Sequence, residues 1–239
     1  MRHAYVAFMR GARTVCRGLG LLGFAERRMA TSRGARWFRS LFAIYDLEDL
    51  ARLDLPWWTF DAIDRVGAFL GERPGARVFE WGSGSSTVWL SRRAGSVHSI
   101  EHDAEWAEHL RVFLATPEIS AQNVRLETVE PVQTSGTPVV GSRKSGFAGL
   151  DFTAYVDAID AVDGVFDVIV VDGRAREACF VRALDRLAPG GIIVFDNVQR
   201  ARYREAVAAA GDRVDAVWTR GLTACLPYSD QTALISRAG

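Results

Sequence analysis

The sequence has almost no lysine, few cysteines and no long apolar run. Lysine occurs once, at Lys144, so arginine carries nearly all of the positive charge. The 29 basic and 29 acidic side chains give a formal net charge of zero, and without an attracting field we predict no nucleic-acid partner. Cys16, Cys179 and Cys225 fit no metal-binding spacing and indicate a reduced protein. Because no apolar stretch approaches the ~20 residues of a membrane span, we predict a cytoplasmic location.

Positive charge is concentrated at the start of the chain. Residues 1–40 contain nine arginines and a single acid, Glu26. Two interpretations fit: a helix that packs its apolar side on the domain, or an amphipathic basic helix that contacts an anionic membrane or a partner protein. The lack of a sustained apolar stripe favours packing. We predict a basic helical extension and connector over 1–57 and a single domain over 58–239.

From about residue 76, apolar strand patterns alternate with helix patterns. This alternation predicts a parallel sheet that is covered by helices on both faces. Residues 131–149 are rich in proline, glycine, serine and threonine, so they predict a loop, and a loop of this length is often a lid or a disordered segment. The predicted strands are 77–80, 97–101, 124–129, 166–171, 192–195, 214–218 and 232–236.

A glycine-rich turn, Glu80–Ser86, lies between the first predicted strand and a helix. Its glycines allow close backbone approach to a ligand, and the helix start offers free N–H groups. Glu101 ends the next strand about 20 residues on, where an acid can bind ribose hydroxyls. A nicotinamide cofactor uses the same geometry, but its third glycine position is Thr87 here. A carboxylate at Glu80 would repel a pyrophosphate and suits a sulfonium, which favours S-adenosylmethionine.

Several motifs in this order resemble those of the class I S-adenosylmethionine-dependent methyltransferases. They are Glu80-x-Gly82-x-Gly84, Glu101-His102-Asp103, the strand Asp167–Gly173 and the turn Leu187–Gly191. The resemblance implies a Rossmann-like α/β domain with a mostly parallel seven-stranded sheet, helices on both faces and an antiparallel C-terminal strand. It also implies a cofactor site formed by Glu80, Gly82, Ser83, Gly84, Ser86, Glu101, His102, Asp103, Glu130 and Asp172. In this family pattern Glu101 holds the ribose, His102 or Asp103 lies near the adenine, and a further adenine contact comes from around Val129 or Glu130.

Two predicted strands end in carboxylates, at Asp172 and at Asp196-Asn197. The carboxyl ends of parallel strands open at one edge, where ligands bind. The pattern resembles the metal site of catechol and caffeoyl-CoA type O-methyltransferases, which implies Mg²⁺ on Asp172, Asp196 and Asn197. Ala175 counts against it, because those enzymes carry a lysine there. Alternatively, Asp172 orients the substrate and Asp196-Asn197 caps the next helix.

These patterns predict in-line methyl transfer to a small hydroxylated acceptor, such as a phenol, a sugar or a natural-product intermediate. Asp172 is the first candidate for base or metal ligand, and Asp196 the second. Arg174 and Arg176 either hold an anionic substrate or pair with nearby acids. An NAD(P)-dependent oxidoreductase and a non-catalytic Rossmann module with a binding N-terminus stay open, as does a homodimer. The candidate walls of the acceptor pocket are Tyr155, Trp218 and Tyr228.

Overall fold

The computed structural model describes the backbone of residues 2–239, together with the side chains of residue 9 and residues 11–239. Residues 2–40 of the predicted basic helical extension form three α-helices. Arg2 and Arg10, two of its arginines, lie outside the residues whose side chains are described. Within residues 2–239, no helix is long and apolar enough to cross a membrane.

A seven-stranded sheet forms the centre of the molecule, with the strand order β3-β2-β1-β6-β7-β9-β8. The first five of these strands are parallel, and β9 runs antiparallel to both of its neighbours, as predicted. Strands β4 and β5 form a separate antiparallel ribbon. The strands are β1 (Arg77–Trp81), β2 (Ser96–Glu101), β3 (Val124–Thr128), β4 (Val132–Gln133), β5 (Leu150–Asp151), β6 (Phe166–Val171), β7 (Leu187–Asp196), β8 (Val214–Gly221) and β9 (Asp230–Arg237).

The helices begin where the sequence offers capping side chains or turns. Thr59 caps α5 by accepting a hydrogen bond from the Ala62 N–H, and Asp103 caps α7 through the Trp106 N–H. The helix predicted over 152–162 is a short α-helix followed by a 3₁₀ turn. The helices are α1 (Arg2–Gly18), α2 (Leu21–Arg28), α3 (Arg33–Ser40), α4 (Leu47–Leu53), α5 (Phe60–Gly71), α6 (Ser85–Ser91), α7 (Ala104–Leu114), α8 (Thr153–Asp157), α9 (Arg176–Arg186) and α10 (Ala201–Ala210).

The central strand β6 is buried on both faces. Val168 and Val170 pack in the core that α5 and α6 complete, whereas Ile169 and Val171 pack in the core under α8, α9 and α10. Each buried side chain of this size contributes roughly 1.5–3 kcal/mol to folding. A strand that is buried on both faces is a continuous apolar run, which is why β6 is prominent in the sequence.

Arginines of the N-terminal helices pair with acids of the residues that follow them. Arg39 Nη2 lies 2.7 Å from Asp49 Oδ1 with both side chains buried, and Arg13 Nη2 lies 3.0 Å from Asp49 Oδ2. Trp37 donates a hydrogen bond of 2.8 Å to the Leu226 carbonyl, which ties α3 to the C-terminal region. These contacts fit the interpretation in which the extension packs on the domain. Contact of residues 1–40 with a membrane or a partner stays a prediction.

Candidate active site

The glycine-rich turn joins the ends of β1 and β6. Gly82 has a φ of 95°, and a Cβ at this position would lie 2.5 Å from the Cα of Gly173. Any other residue would therefore push apart the two loops that follow these strands. The turn is also held from the side, because the Trp106 indole donates a hydrogen bond of 3.0 Å to the Ser83 carbonyl. Gly84 then leads into α6, and its N–H donates to the Thr87 hydroxyl.

Glu80 lies beneath this turn and is completely buried. Its carboxylate accepts hydrogen bonds from the hydroxyls of Ser86, Thr87 and Ser99, the last at 2.7 Å. Burial is the main cause that raises the pKa of Glu80 from 4.5 to about 7, against the three hydroxyl donors. The sequence predicted that the Glu80 carboxylate faces the sulfonium of a ligand, and this prediction does not fit a completely buried side chain. In the structure, the Ser86 hydroxyl donates to the Glu80 carboxylate, and this contact holds the two ends of the glycine-rich turn together.

We expect the Glu80→Gln substitution to remove a pH dependence of folding stability. Because the folded-state pKa lies near 7, above the ordinary 4.5, this group stabilises the fold fully below pH 4.5 and loses that contribution as the pH rises through 7. The unfolding free energy of the wild type should fall by about 3 kcal/mol relative to the variant across this window. Urea unfolding from pH 4 to pH 8 measures the difference. Parallel curves for the two proteins would contradict the prediction, and Glu118→Gln, at an exposed position, is the control.

Glu101 ends β2, and its carboxylate holds the Gly82–Gly84 turn through Ser83. One carboxylate oxygen accepts from the Ser83 N–H at 3.0 Å and from the Ser83 hydroxyl at 2.9 Å. The other accepts from the N–H groups of His102 and Asp103 and lies 2.6 Å from His102 Nδ1. Burial opposes ionisation, but these donors together lower the pKa of Glu101. The structure therefore presents an ionised carboxylate at the carboxyl edge of the sheet.

A cleft of about 330 Å³ opens beside Glu101. The structure brings the predicted residues His102, Asp103 and Glu130 together in its wall. Both apolar and polar groups line it, which suits a heterocyclic base. The remaining lining residues are Ala104, Glu105, Pro131, Phe147 and Leu150.

The predicted loop 131–149 folds back over the centre of this edge. Its Phe147 ring packs 5.5 Å from the His102 ring and 5.8 Å from the Phe152 ring, and the Arg174 guanidinium lies 5.1 Å from the Phe147 centroid. Tyr155 is fully buried next to them, and a Cβ on Gly173 would meet its hydroxyl at 1.9 Å. Among the described side chains, the Tyr155 hydroxyl finds no hydrogen-bond partner.

A buried guanidinium links the carboxylates at the ends of β6 and β7. Arg176 Nη2 lies 2.7 Å from Asp172 Oδ1, and Arg176 Nη1 lies 3.8 Å from Asp196 Oδ2. The same guanidinium donates to the carbonyls of Gly173, Asp196 and Asp172 at 3.0, 2.8 and 2.6 Å. Burial raises the pKa of Asp172, and raises that of Asp196 further, while the charge of Arg176 opposes both shifts.

The magnesium site predicted from Asp172, Asp196 and Asn197 does not fit this arrangement. A divalent cation would have to displace Arg176, the cation that already neutralises the two aspartates. Asn197 donates instead to Asp230 at 2.9 Å. Within the described side chains, no group of three histidine, cysteine or acidic residues is arranged to hold a metal. The alternative role of Asp196-Asn197 as a helix cap is also wrong, because α10 begins only at Ala201.

Strand β9 supplies groups that the sequence did not assign to the site. Thr232 donates a hydrogen bond of 2.8 Å to Asp196 Oδ1, and Asp230 holds Asn197. Trp58 lies beside Asp172 and partly opposes the burial that raises the pKa of this carboxyl. The prediction of an antiparallel C-terminal strand did not link that strand to these aspartates; its pairing with β7 in the structure does. Trp218 and Tyr228, predicted as pocket walls, are 45% and 59% exposed.

Comparisons with known proteins agree with this geometry. Residues 79–198 match a family model described as a methyltransferase domain. An O-methyltransferase from Bacillus cereus in complex with SAH is 19% identical, has a TM-score of 0.57, and aligns over 80% of this chain and 90% of its own. The O-methyltransferase TomG from Streptomyces achromogenes, in complex with SAM, is 20% identical with a TM-score of 0.57, over 85% and 90% of the two chains. A search of curated proteins finds no match.

Proposed function

The chain belongs to the methyltransferase-domain family of class I S-adenosylmethionine-dependent enzymes, and we propose that it methylates an oxygen of a small hydroxylated acceptor. The observation that carries the proposal is the meeting of Glu101, the Gly82–Gly84 turn and Asp172 at one edge of a parallel sheet. The choice of oxygen is supported by solved structures of this fold that are named O-methyltransferases.

Three parts of the edge suit three parts of the cofactor. We assign the Glu101 carboxylate to the ribose hydroxyls, and the cleft beside His102 and Glu130 to the adenine. The rotatable Ser83 hydroxyl is the contact on Glu101 that we expect a ribose hydroxyl to replace. The Gly82–Gly84 turn is left for the amino-acid end. When bound, S-adenosylmethionine supplies the electrophilic methyl group.

Asp172 is the group that we assign to the acceptor. Its Oδ1 faces Arg176, which leaves Oδ2 as the atom that accepts the proton of an acceptor hydroxyl. The side chain is 19% exposed, and burial raises its pKa, so it is a stronger base than an ordinary aspartate. Asp196 is almost fully buried and acts as a positioning residue, because it contacts Arg176 and Thr232 rather than open space. The chain's own contribution is then orientation and proton acceptance, without a metal step.

Calorimetric titration with S-adenosylhomocysteine tests the cofactor assignment. We expect micromolar binding by the wild type, in Mg²⁺ and in EDTA alike, and at least about tenfold weaker binding by Glu101→Gln, because a neutral amide loses the charge-assisted hydrogen bonds. The exposed control Glu118→Gln should bind like the wild type. If the folded wild type did not bind S-adenosylhomocysteine but bound NADH, the oxidoreductase alternative would replace this proposal.

A further inference from the structure

A basic depression is lined in part by the residues that follow Asp172 in the chain. It shares no lining residue with the cleft that we assign to the adenine. Arg143 and Lys144 of the 131–149 loop, Arg174 after β6, and Arg200 and Arg202 at the start of α10 contribute to its lining. We call these five residues the basic pocket. One acid, Glu177, also lines the depression, so positive charge is in clear excess.

The positive charge of the pocket is only partly neutralised. Glu177 pairs with Arg202, at 3.2 Å. Among the described side chains, neither Arg174 nor Arg200 forms an ion pair with a carboxylate. Arg174 donates weakly to the Gly173 carbonyl, at 3.3 Å, and its buried Nε has no hydrogen-bond partner. A partly buried guanidinium without an anion is costly, and this cost is recovered when an anion binds.

Backbone groups add to this preference for an anion. Helix α9 begins next to Ala175 and helix α10 next to Arg200, and both residues line the depression. Neither N-terminus is capped by a side chain. Their first-turn N–H groups therefore supplement the arginines, since helix N-termini favour negative charge.

We propose that the basic pocket binds a carboxylate or phosphate group of the acceptor, so that the substrate is an anionic hydroxylated small molecule. This inference rests on the proposed function and narrows its substrate class. Arg174 is two residues from Asp172, so an anion held there brings the rest of the acceptor to the proposed base. The depression itself is narrow, about 20 Å³. The exposed side chains of Arg143 and Lys144 border it.

Titration with inorganic phosphate and with benzoate tests the pocket on the full chain at low salt. We expect the wild type to bind at least one of them, with an affinity that falls as salt rises. Arg174→Gln and the exposed Arg200→Gln should each bind about tenfold more weakly. Arg204→Gln should bind like the wild type, because Arg204 lies outside the lining of the depression and its guanidinium donates to the Gln199 carbonyl. Phosphate binding alone would identify a phosphate ester as the acceptor class, and benzoate binding alone a carboxylate.

Equal anion affinities in the wild type, Arg174→Gln and Arg200→Gln would overturn the proposal, as would equal losses in Arg204→Gln. A folded wild type that binds neither anion would also overturn it. S-adenosylhomocysteine is titrated into each protein separately. Cofactor binding without anion binding would reject the basic pocket and leave the methyltransferase assignment intact. Anion binding without cofactor binding would show an anion site but would remove the methyl-transfer function on which the acceptor proposal rests.

Discussion

The Asp172→Asn variant should lose methyl transfer by about 100-fold or more while it still binds S-adenosylhomocysteine. The asparagine amide keeps the size of the aspartate but cannot take a proton from an acceptor hydroxyl. Radiolabelled methyl transfer to hydroxylated carboxylates and phosphate esters measures the loss, once this panel has yielded an acceptor.

The pH profile separates a base from a purely structural residue. Burial raises the pKa of Asp172, and the base acts only when it is ionised. Wild-type activity should therefore fall as the pH drops through this raised pKa, at a higher pH than for an ordinary aspartate. The residual activity of Asp172→Asn should lack this acid limb. Asp212→Asn, an exposed control, should keep both the rate and the profile of the wild type.

Cofactor affinity shows whether Asp172 serves the acceptor or the cofactor. The sequence pattern assigned Asp172 to both roles, while the structure pairs its Oδ1 with Arg176. If Asp172→Asn lost S-adenosylhomocysteine binding together with activity, the residue would belong to the cofactor site. If the variant remained active, another group would have to accept the proton.

Local patterns predicted the strands and the turn because local physics determines them. Strand β6 was predicted at 166–171, where the structure has it, because burial on both faces requires a continuous apolar run. Gly82 was found because the close approach of Gly173 tolerates no side chain there. The parallel order of the strands then brought Asp172 and Asp196 to one edge, as predicted.

Tertiary contacts decided what the sequence left open. The orientation of Glu80 was not predictable, because β1 is buried on both faces and its pattern does not distinguish a ligand-facing carboxylate from a buried one. Arg174 and Arg176 are equivalent in the sequence. In the fold, Arg176 lies between two aspartates, whereas Arg174 packs on the Phe147 ring and pairs with no carboxylate among the described side chains. Arg176 therefore has a structural role, whereas we propose that Arg174 contacts the substrate.

Arg176→Gln should cost about 3–5 kcal/mol of folding free energy, because it leaves two buried carboxylates without their cation. Urea unfolding measures the loss. The loss should be smaller at pH 5 than at pH 8, because carboxylates with raised pKa values take up protons as the pH falls. Arg182→Gln removes an exposed partner of Asp157 and should change the unfolding free energy far less, because exposed ion pairs contribute little.

A double substitution tests whether the unpaired charge causes this instability. Asp172→Asn added to Arg176→Gln removes one of the two stranded carboxylates, so the double variant should be more stable than Arg176→Gln alone. If it were less stable, lost packing and lost hydrogen bonds to the carbonyls of Gly173 and Asp196 would account for the effect instead.

The pairing of Arg176 with Asp172 and Asp196 also predicts how the protein responds to divalent metals. Because Arg176 neutralises both aspartates, Mg²⁺ and EDTA should leave the stability and the methyl transfer of the wild type unchanged. Activity that is lost in EDTA would mean that a divalent cation displaces this guanidinium.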